Sequence, residues 1–274
     1  MLIKKEEITE LSNGIRKAID GQEIDIRDNK EGVLSILKND IYTLIHIEKE
    51  QRSRAQAEQE HLAEYLADIS HQLKTPLTSM MLMTNLLEDA SGDKQKEFIF
   101  QIKKELGHME WLISALLKMA RLDSGAVDFT ASDISVGQLV EEALKPLLIL
   151  LDIKSQKVVI RNEAVIRCDR RWTEEALTNL LKNASECSGE NTVITVDSGE
   201  NPIYQWISIT DAGEGIPRER ISGLFRRFQN SRNENGFGIG LPLALSIVRG
   251  QNGDIEVSPG GNGAGATFKI KLYK

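Results

Sequence analysis

The sequence predicts an α+β protein in which a helical bundle precedes an α/β sandwich domain. Within residues 56–124, apolar residues recur at steps of three and four, as in helices that pack through one face. From about residue 134 the pattern changes to short strand-like runs separated by helical stretches. A chain of 274 residues has room for two compact domains joined to extended helices.

Residues 1–55 are predicted to form two amphipathic helices around an extended connector that begins at Gly21. The apolar positions are Ile8, Leu11, Ile15 and Ile19 in the first helix and Leu34, Leu37, Ile41 and Leu44 in the second. Beyond them the residues at the same heptad positions are polar, so residues 46–60 are expected to form a weakly packed coiled coil. Such a coil can switch between two packing arrangements, as a signal relay requires, or can be a solvated helical linker.

Residues 56–124 are predicted to form two long antiparallel helices joined by a turn at 90–94. The apolar seams are Leu62, Leu66, Ile69 and Leu73 in the first helix, and Ile102, Leu106, Met109, Ile113, Leu116 and Ala120 in the second. Two helices cannot bury both seams alone. We therefore expect a homodimer, in which two helices per chain form an antiparallel four-helix bundle.

His71 lies on the first of these helices, outside the apolar seam, and is therefore expected to be exposed. Pro76 follows five residues later; it has no N–H group and is expected to bend or loosen the helix, with the seam slipping to Leu77. Taken alone, this segment is more simply an exposed histidine beside an incidental proline.

Residues 125–133 are predicted to be a linker, and residues 134–274 a sheet covered by helices on one face. The predicted strands are Val158–Arg161, Val193–Val196, Ile203–Thr210, Asp254–Val257 and Thr267–Leu272. The predicted helices are Val136–Leu144, Trp172–Ala184 and Leu241–Arg249.

Composition excludes several classes of protein. The net charge of −7 argues against nonspecific nucleic-acid binding, which needs clustered cations. Two cysteines, Cys168 and Cys187, are too few for a disulfide framework and are interpreted as structural thiols of a reducing compartment. No apolar run approaches the roughly 20 residues that cross a bilayer, and Met1 leads directly into charged residues. The chain is expected to be cytoplasmic.

Three segments of the second domain together predict a nucleotide site. Asn179 and Asn183 share one helix face, and their amide oxygens suit Mg²⁺. Asp211–Gly215 follows a strand, where a carboxylate can accept from the amine of adenine and glycines permit close backbone approach. Gly236–Leu241 opens a helix with alternating glycines, whose N–H groups can face phosphate. Alone, the first segment could be a pair of surface asparagines and the second a β-turn. The third has neither the spacing of a dinucleotide fingerprint nor the continuation of a P-loop.

With these motifs, residues 61–274 resemble the bacterial two-component sensor histidine kinases. The matching segments are 68–77 for the phosphoacceptor box, Asn179 and Asn183 for the asparagine box, Asp211–Gly215, Gly236–Leu241 and Gly263–Phe268 for three glycine boxes, and Leu224–Phe228 for the phenylalanine box. Residues 1–55 resemble a HAMP-type relay. The resemblance implies domains 1–55 (relay and coiled coil), 56–124 (dimerisation and phosphoacceptor), 125–133 (linker) and 134–274 (ATP-binding).

The resemblance implies autophosphorylation of His71 from Mg-ATP, followed by phosphotransfer to an aspartate of a response regulator. Thr75 would position water for dephosphorylation of that regulator, and Arg227 would reach the γ-phosphate. The implied ATP-binding residues are Asn179, Asn183, Asp211, Gly213, Gly215, Gly236, Gly238, Gly240, Leu241, Gly265 and Thr267. Asn183 is the implied metal ligand, and residues 229–239 the implied lid. Membrane helices preceding Met1 are expected in the full-length protein.

The sequence departs from the family at two positions near the chemistry. Gln72 stands where the family has an acid beside the histidine, and it is still counted among the catalytic residues because its carbonyl can fix the imidazole tautomer. Glu186 stands where many members carry a phosphate-contacting lysine. Two other functions stay open: a GHKL-type ATPase clamp without phosphohistidine, and a phosphatase-biased or scaffold member with weak kinase activity.

Overall fold

The computed structural model describes residues 5–19, 25–27, 33–88, 91–228, 238–260 and 265–274. The helices of these residues are α1 (Lys5–Ile19), α2 (Val33–Glu88), α3 (Asp93–Asp123), α4 (Val136–Leu144), α5 (Leu148–Ile153), α6 (Arg170–Cys187), α7 (Arg218–Ile221) and α8 (Gly240–Gly250), with a 3₁₀ turn at Lys145–Leu147. The strands are β1 (Ala131–Ser135), β2 (Lys157–Ile160), β3 (Val165–Asp169), β4 (Val193–Glu200), β5 (Tyr204–Thr210), β6 (Gly253–Ser258) and β7 (Thr267–Tyr273). The chain divides into two compact units, Met1–His71 and Gln72–Lys274.

The first unit contains α1, part of the connector and the first part of α2. Ile26 of the connector lies so close to Gly14 that a Cβ there would come within 2.8 Å of its side chain. The Arg27 guanidinium lies over the Tyr42 ring, 4.1 Å from its centroid. Two helices around a non-helical segment are therefore present, as predicted. The predicted break at Gly21 lies outside the described residues.

Helix α2 is a continuous helix of 56 residues that passes through both the predicted weak coil and Pro76. The proline removes one backbone donor without ending the helix. Within the single chain Pro76 is buried, whereas Leu77 is 49% exposed. The expected slip of the seam to Leu77 is therefore not seen in the packing of one chain.

Helix α3 has two apolar faces. One face, formed by Leu112, Ala115 and Met119, is at most 2% exposed and belongs to the core of the α/β domain. The other contains residues of the predicted seam and stays open in the single chain, with Leu106 at 54% and Ile113 at 46% exposure. The heptad count found the open face and missed the buried one.

The α/β domain contains a five-stranded mixed sheet in the order β2-β4-β5-β7-β6. Only the β2–β4 pair is parallel. A separate antiparallel pair, β1 and β3, was not predicted from the sequence, and β1 begins inside the predicted linker. Of the five residues of β1 only Ile134 is buried, which is too weak an alternation to detect.

One face of the sheet packs against α6 and α8, and the other is largely polar. Helix α4 packs against α6 and β1. The inward-facing side chains include Ile194, Val196, Ile207, Ile209, Phe268 and Ile270, each at most 1% exposed. On the opposite face Lys269 lies over the Trp206 ring, 4.9 Å from its centroid. The predicted two-layer α/β sandwich is confirmed. Among the described residues, no helix is both long and apolar enough to span a membrane.

Candidate nucleotide-binding site and phosphoacceptor helix

Helix α6 carries both asparagines and is held at its N-terminus by Asp169. One carboxylate oxygen of Asp169 accepts from the backbone N–H of Trp172 at 3.1 Å, capping the helix. The other accepts from the N–H of Thr130 at 2.8 Å, just before β1. The short sheet and the helix are therefore joined through one side chain, which positions the asparagines relative to the rest of the domain.

Asn179 is buried and its amide group has a defined orientation. Its Nδ2 donates to the carbonyl of Glu175 at 2.8 Å, which turns its Oδ1 the other way. That oxygen faces Gly240, the first residue of α8, where a Cβ would lie 3.0 Å from it. Asn183 follows one helical turn later and is half-buried. The asparagine face of α6 thus borders the N-terminus of α8, next to half-buried Leu241.

Asp211 lies at the end of β5 and is 6% exposed. Its Oδ1 accepts from the N–H groups of Gly213 at 2.8 Å and Ala266 at 3.1 Å. Its own N–H donates to the Ala266 carbonyl at 3.0 Å. Backbone groups of two segments therefore hold this carboxylate in one orientation.

Two glycines are required here by close packing. A Cβ on Gly265 would lie 2.1 Å from the Asp211 carbonyl oxygen and 2.2 Å from its Oδ1. A Cβ on Gly213 would lie 2.6 Å from the carbonyl oxygen of Cys187, at the end of α6. Any side chain at either position would displace the Asp211 loop.

The remaining predicted residues surround the same region. The Thr210 and Thr267 hydroxyls are 2.9 Å apart, and the N–H of Phe228 donates to the Gly238 carbonyl at 3.3 Å. Gly215 and Gly238 have φ of 83° and 64°, which favour glycine. Gly236 and most of the predicted lid lie outside the described residues. The other predicted site residues of this domain lie in neighbouring segments.

Charged groups near α6 have partners other than phosphate. Lys182 lies 3.9 Å from Glu186 and 5.2 Å from the centroid of the Trp111 ring on α3. Lys118 of α3 forms an ion pair with Glu175 at 2.8 Å. Lys182 is thus directed to α3, and Glu186 is paired with a cation.

Arg227 forms an ion pair with Asp123, the last residue of α3, at 2.8 Å. The hydrophobic neighbours Phe225 and Phe228 pack against the core. Sequence reasoning predicted a phosphate contact for Arg227 and no role for Asp123. The two are 104 positions apart, and no sequence pattern connects them.

The predicted phosphoacceptor residues lie on α2. His71 and Thr75 are exposed, and Gln72 is half-buried. The hydroxyl of the neighbouring Ser70 donates back to the Leu66 carbonyl at 2.7 Å and stays within the helix. The prediction of an exposed His71 is confirmed.

Two further groups have structural explanations. Cys168 is 2% exposed, and burial raises the pKa of its thiol, as expected for a structural cysteine. Burial also raises the pKa of Glu174.

No group of three or more His, Cys, Asp or Glu residues with metal-binding geometry occurs in the described part of the chain. The predicted metal ligand is an amide, Asn183, and it stays a prediction.

Comparison with known proteins identifies two domains. Residues 61–125 match the family model described as "His Kinase A (phospho-acceptor) domain". Residues 168–274 match the model described as "Histidine kinase-, DNA gyrase B-, and HSP90-like ATPase". These ranges contain every predicted site residue.

Similar proteins include heme sensor protein HssS of Staphylococcus saprophyticus, 30% identical over 214 residues, and probable sensor histidine kinase TcrY of Mycobacterium tuberculosis, 28% identical over 220. The matches cover 77% and 75% of this chain. The chain spans 46% and 45% of the length of these two relatives.

Solved structures share the fold. Acinetobacter baumannii histidine kinase AdeS superposes with a TM-score of 0.61 at 22% identity, covering 74% of this chain and 97% of that one. Histidine kinase ThkA in complex with response regulator protein TrrA gives 0.65 at 19% identity, covering 83% and 66%. The two matched domains, their order along the chain and this shared fold show that the chain belongs to the bacterial two-component sensor histidine kinases.

Proposed function

We propose that the chain is the kinase core of a sensor histidine kinase that binds Mg-ATP, phosphorylates itself on His71 and transfers the phosphoryl group to an aspartate of a response regulator. The buried Asp211 supports this proposal most strongly. Two backbone N–H groups hold its carboxylate at a strand end, and Gly265 has no room for a side chain beside it. A fixed, buried acceptor beside close-packed backbone suits the exocyclic amine of adenine.

The residues present fit Mg²⁺ bound jointly with phosphate. Mg²⁺ prefers oxygen ligands and is held by one or two protein groups together with substrate phosphates and water. Asn183 offers an amide oxygen on the same helix face as Asn179, whose own amide oxygen faces the N-terminus of α8. In that position Mg²⁺ would neutralise charge on the triphosphate. Asn179 would orient the phosphates, and the first N–H groups of α8 would donate to them.

His71 is suited to be the nucleophile because it is exposed on α2. With its Nδ1–H donated to the Gln72 carbonyl, the Nε2 lone pair attacks the γ-phosphorus. The bond from the γ-phosphorus to the bridging oxygen breaks and ADP leaves. Unlike the carboxylate of an acidic residue, the Gln72 amide cannot accept the imidazole proton. Phosphoryl transfer nevertheless has a loose transition state in which positioning and charge stabilisation dominate, so we propose that the chain is active despite this substitution.

The regulator then removes the phosphoryl group from His71. Its aspartate carboxylate attacks phosphorus, the N–P bond breaks, and neutral imidazole is restored. One structural neighbour is a histidine kinase in complex with its response regulator, which supports this class of partner. Thr75, one turn from His71, is proposed to position the water that hydrolyses the phosphoaspartate of the regulator to carboxylate and inorganic phosphate.

We also propose a homodimer. Large apolar side chains along α2 and α3 are exposed in the single chain, including Leu77, Met81, Leu82, Leu86, Phe100, Leu106, Ile113 and Leu117. A second copy would cover this surface and form the predicted four-helix bundle. Residues 1–55 are proposed to act as a HAMP-like relay into that bundle.

Incubation with γ-labelled ATP tests the proposal. We expect acid-labile, base-stable label on the protein, absent in His71→Ala. ATP hydrolysis without protein label would instead indicate an ATPase clamp. Nucleotide binding with neither label nor hydrolysis would indicate a scaffold.

A further inference from the structure

The buried side chain of Gln156 contacts the end of the helix that carries the asparagines. Gln156 lies just before β2 and is 7% exposed. Its Nε2 lies within hydrogen-bond distance of three carbonyl oxygens at the C-terminus of α6. They belong to Ser185 at 3.1 Å, Ser188 at 3.1 Å and Gly189 at 2.9 Å. The last carbonyls of a helix have no intrahelical donor. The Gln156 amide shares them with Lys154, whose ammonium donates to the Ser185 and Ser188 carbonyls, and with Thr192, whose hydroxyl donates to the Gly189 carbonyl.

The orientation of the Gln156 amide is itself fixed. The hydroxyl of Ser185 is fully buried and donates to Gln156 Oε1 at 2.6 Å, which directs the NH₂ group towards the carbonyls. Lys154 adds its ammonium group to the Ser185 carbonyl at 2.7 Å, at the negative end of the helix dipole. Two residues of the segment before β2 therefore hold the C-terminus of α6.

That helix end is in direct contact with the Asp211 loop. The N–H of Ala212 donates to the Ser188 hydroxyl at 3.0 Å. Gly213 packs against the Cys187 carbonyl with no room for a Cβ. On its other side the loop is held by Ala266. The loop is thus supported on both sides. Its contact with α6 includes Ser188, whose carbonyl accepts from Gln156 at 3.1 Å and from Lys154 at 3.4 Å.

We propose that Gln156 is a positioning residue for base recognition: through Ser188 and Ala212 it sets the position of the Asp211 carboxylate. This inference rests on the proposed function of Asp211 as the adenine acceptor. Guanine carries a carbonyl oxygen where adenine carries its amine, so a correctly placed carboxylate favours adenine and repels guanine. A shift of the loop weakens adenine binding and reduces that discrimination.

Equilibrium binding of ATP and GTP to the full chain tests this proposal in wild type, Gln156→Leu, Ser188→Ala and the double variant. We expect Gln156→Leu to raise the Kd for ATP about tenfold and to lower the ATP-over-GTP preference about tenfold. Ser188→Ala should act in the same direction. Because both substitutions disturb the same connection between the end of α6 and the Asp211 loop, the double variant should change the Kd and the ATP-over-GTP preference no more than the stronger single variant does. Gln138→Leu removes an exposed glutamine on α4 and should leave both values unchanged.

A folded Gln156→Leu protein with the wild-type ATP-over-GTP preference would overturn the inference alone, and so would fully additive effects in the double variant. Wild-type protein that binds neither nucleotide would overturn the proposed function and this inference with it. If circular dichroism shows that Gln156→Leu is unfolded, Ser185→Ala and Ser188→Ala decide instead. Loss of preference in both supports the inference, and a wild-type preference in both overturns it.

Discussion

The ion pair between Arg227 and Asp123 predicts that this contact restrains the kinase. A guanidinium that donates to Asp123 at 2.8 Å is held at the end of α3, with part of its charge already neutralised. If Arg227 stabilises charge on a γ-phosphate during transfer, the ion pair with Asp123 competes with that contact. Replacing Asp123 by Asn removes the negative charge of this ion pair while keeping the size of the side chain.

The size of the effect follows from the exposure of the pair. The side chains of Arg227 and Asp123 are 24% and 46% exposed, so water screens their attraction considerably. Such a contact contributes about 1 kcal/mol. Since about 1.4 kcal/mol corresponds to tenfold, the population of released Arg227 should rise about fivefold in Asp123→Asn.

The assay is the initial rate of His71 labelling at saturating ATP. We expect Asp123→Asn to be faster than wild type by up to about fivefold, and Arg227→Ala to be slower by about 10²-fold or more. Added salt should raise the wild-type rate relative to that of Asp123→Asn, because ions screen the pair. Asp133→Asn, an exposed carboxylate on β1, serves as the matched control. A rate of Asp123→Asn at or below that of wild type, or an unaffected Arg227→Ala, refutes the reasoning.

Four further predictions test separate parts of the structure. Asn183→Ala should abolish Mg²⁺-dependent labelling of His71; retained labelling would contradict its role as metal ligand. Gln72→Glu should change the labelling rate of an enzyme that is already active. If wild type showed no detectable labelling and the variant did, a neutral side chain beside His71 would not be sufficient for kinase activity. Gly265→Ala should weaken ATP binding at least about tenfold, measured by calorimetry, since its Cβ would collide with the Asp211 backbone; wild-type affinity would show that the loop can move aside. Leu112→Ala should lower the free energy of unfolding by about 2–5 kcal/mol in urea titrations, because the side chain is fully buried; a cost below about 1 kcal/mol would mean that this face of α3 is not packed in solution.

Much of the nucleotide site could be predicted because its parts are short segments with strong local chemistry. The asparagine pair depends only on helical spacing, and the Asp211 turn follows a strongly apolar strand. The glycines could be identified from their positions in the motifs, but the contacts that require them could not. Gly213 is required by its close packing against Cys187, and Gly265 by its close packing against Asp211. Strand β1 was missed because only one of its five residues is buried. Strand β3 was overlooked although three of its five residues are buried.

The sequence by itself determined the order of the two matched domains and the exposed position of His71, and it identified the segments of the proposed nucleotide site, because periodicity and motif spacing act over a few helical turns. Only the tertiary structure decided which apolar face of α3 is buried, that Arg227 pairs with Asp123, and that Gln156 contacts the C-terminus of α6. The physical reason is that a helix can present two apolar faces and a charge can have many partners. Which of them are satisfied depends on contacts between residues as far apart as Asp123 and Arg227.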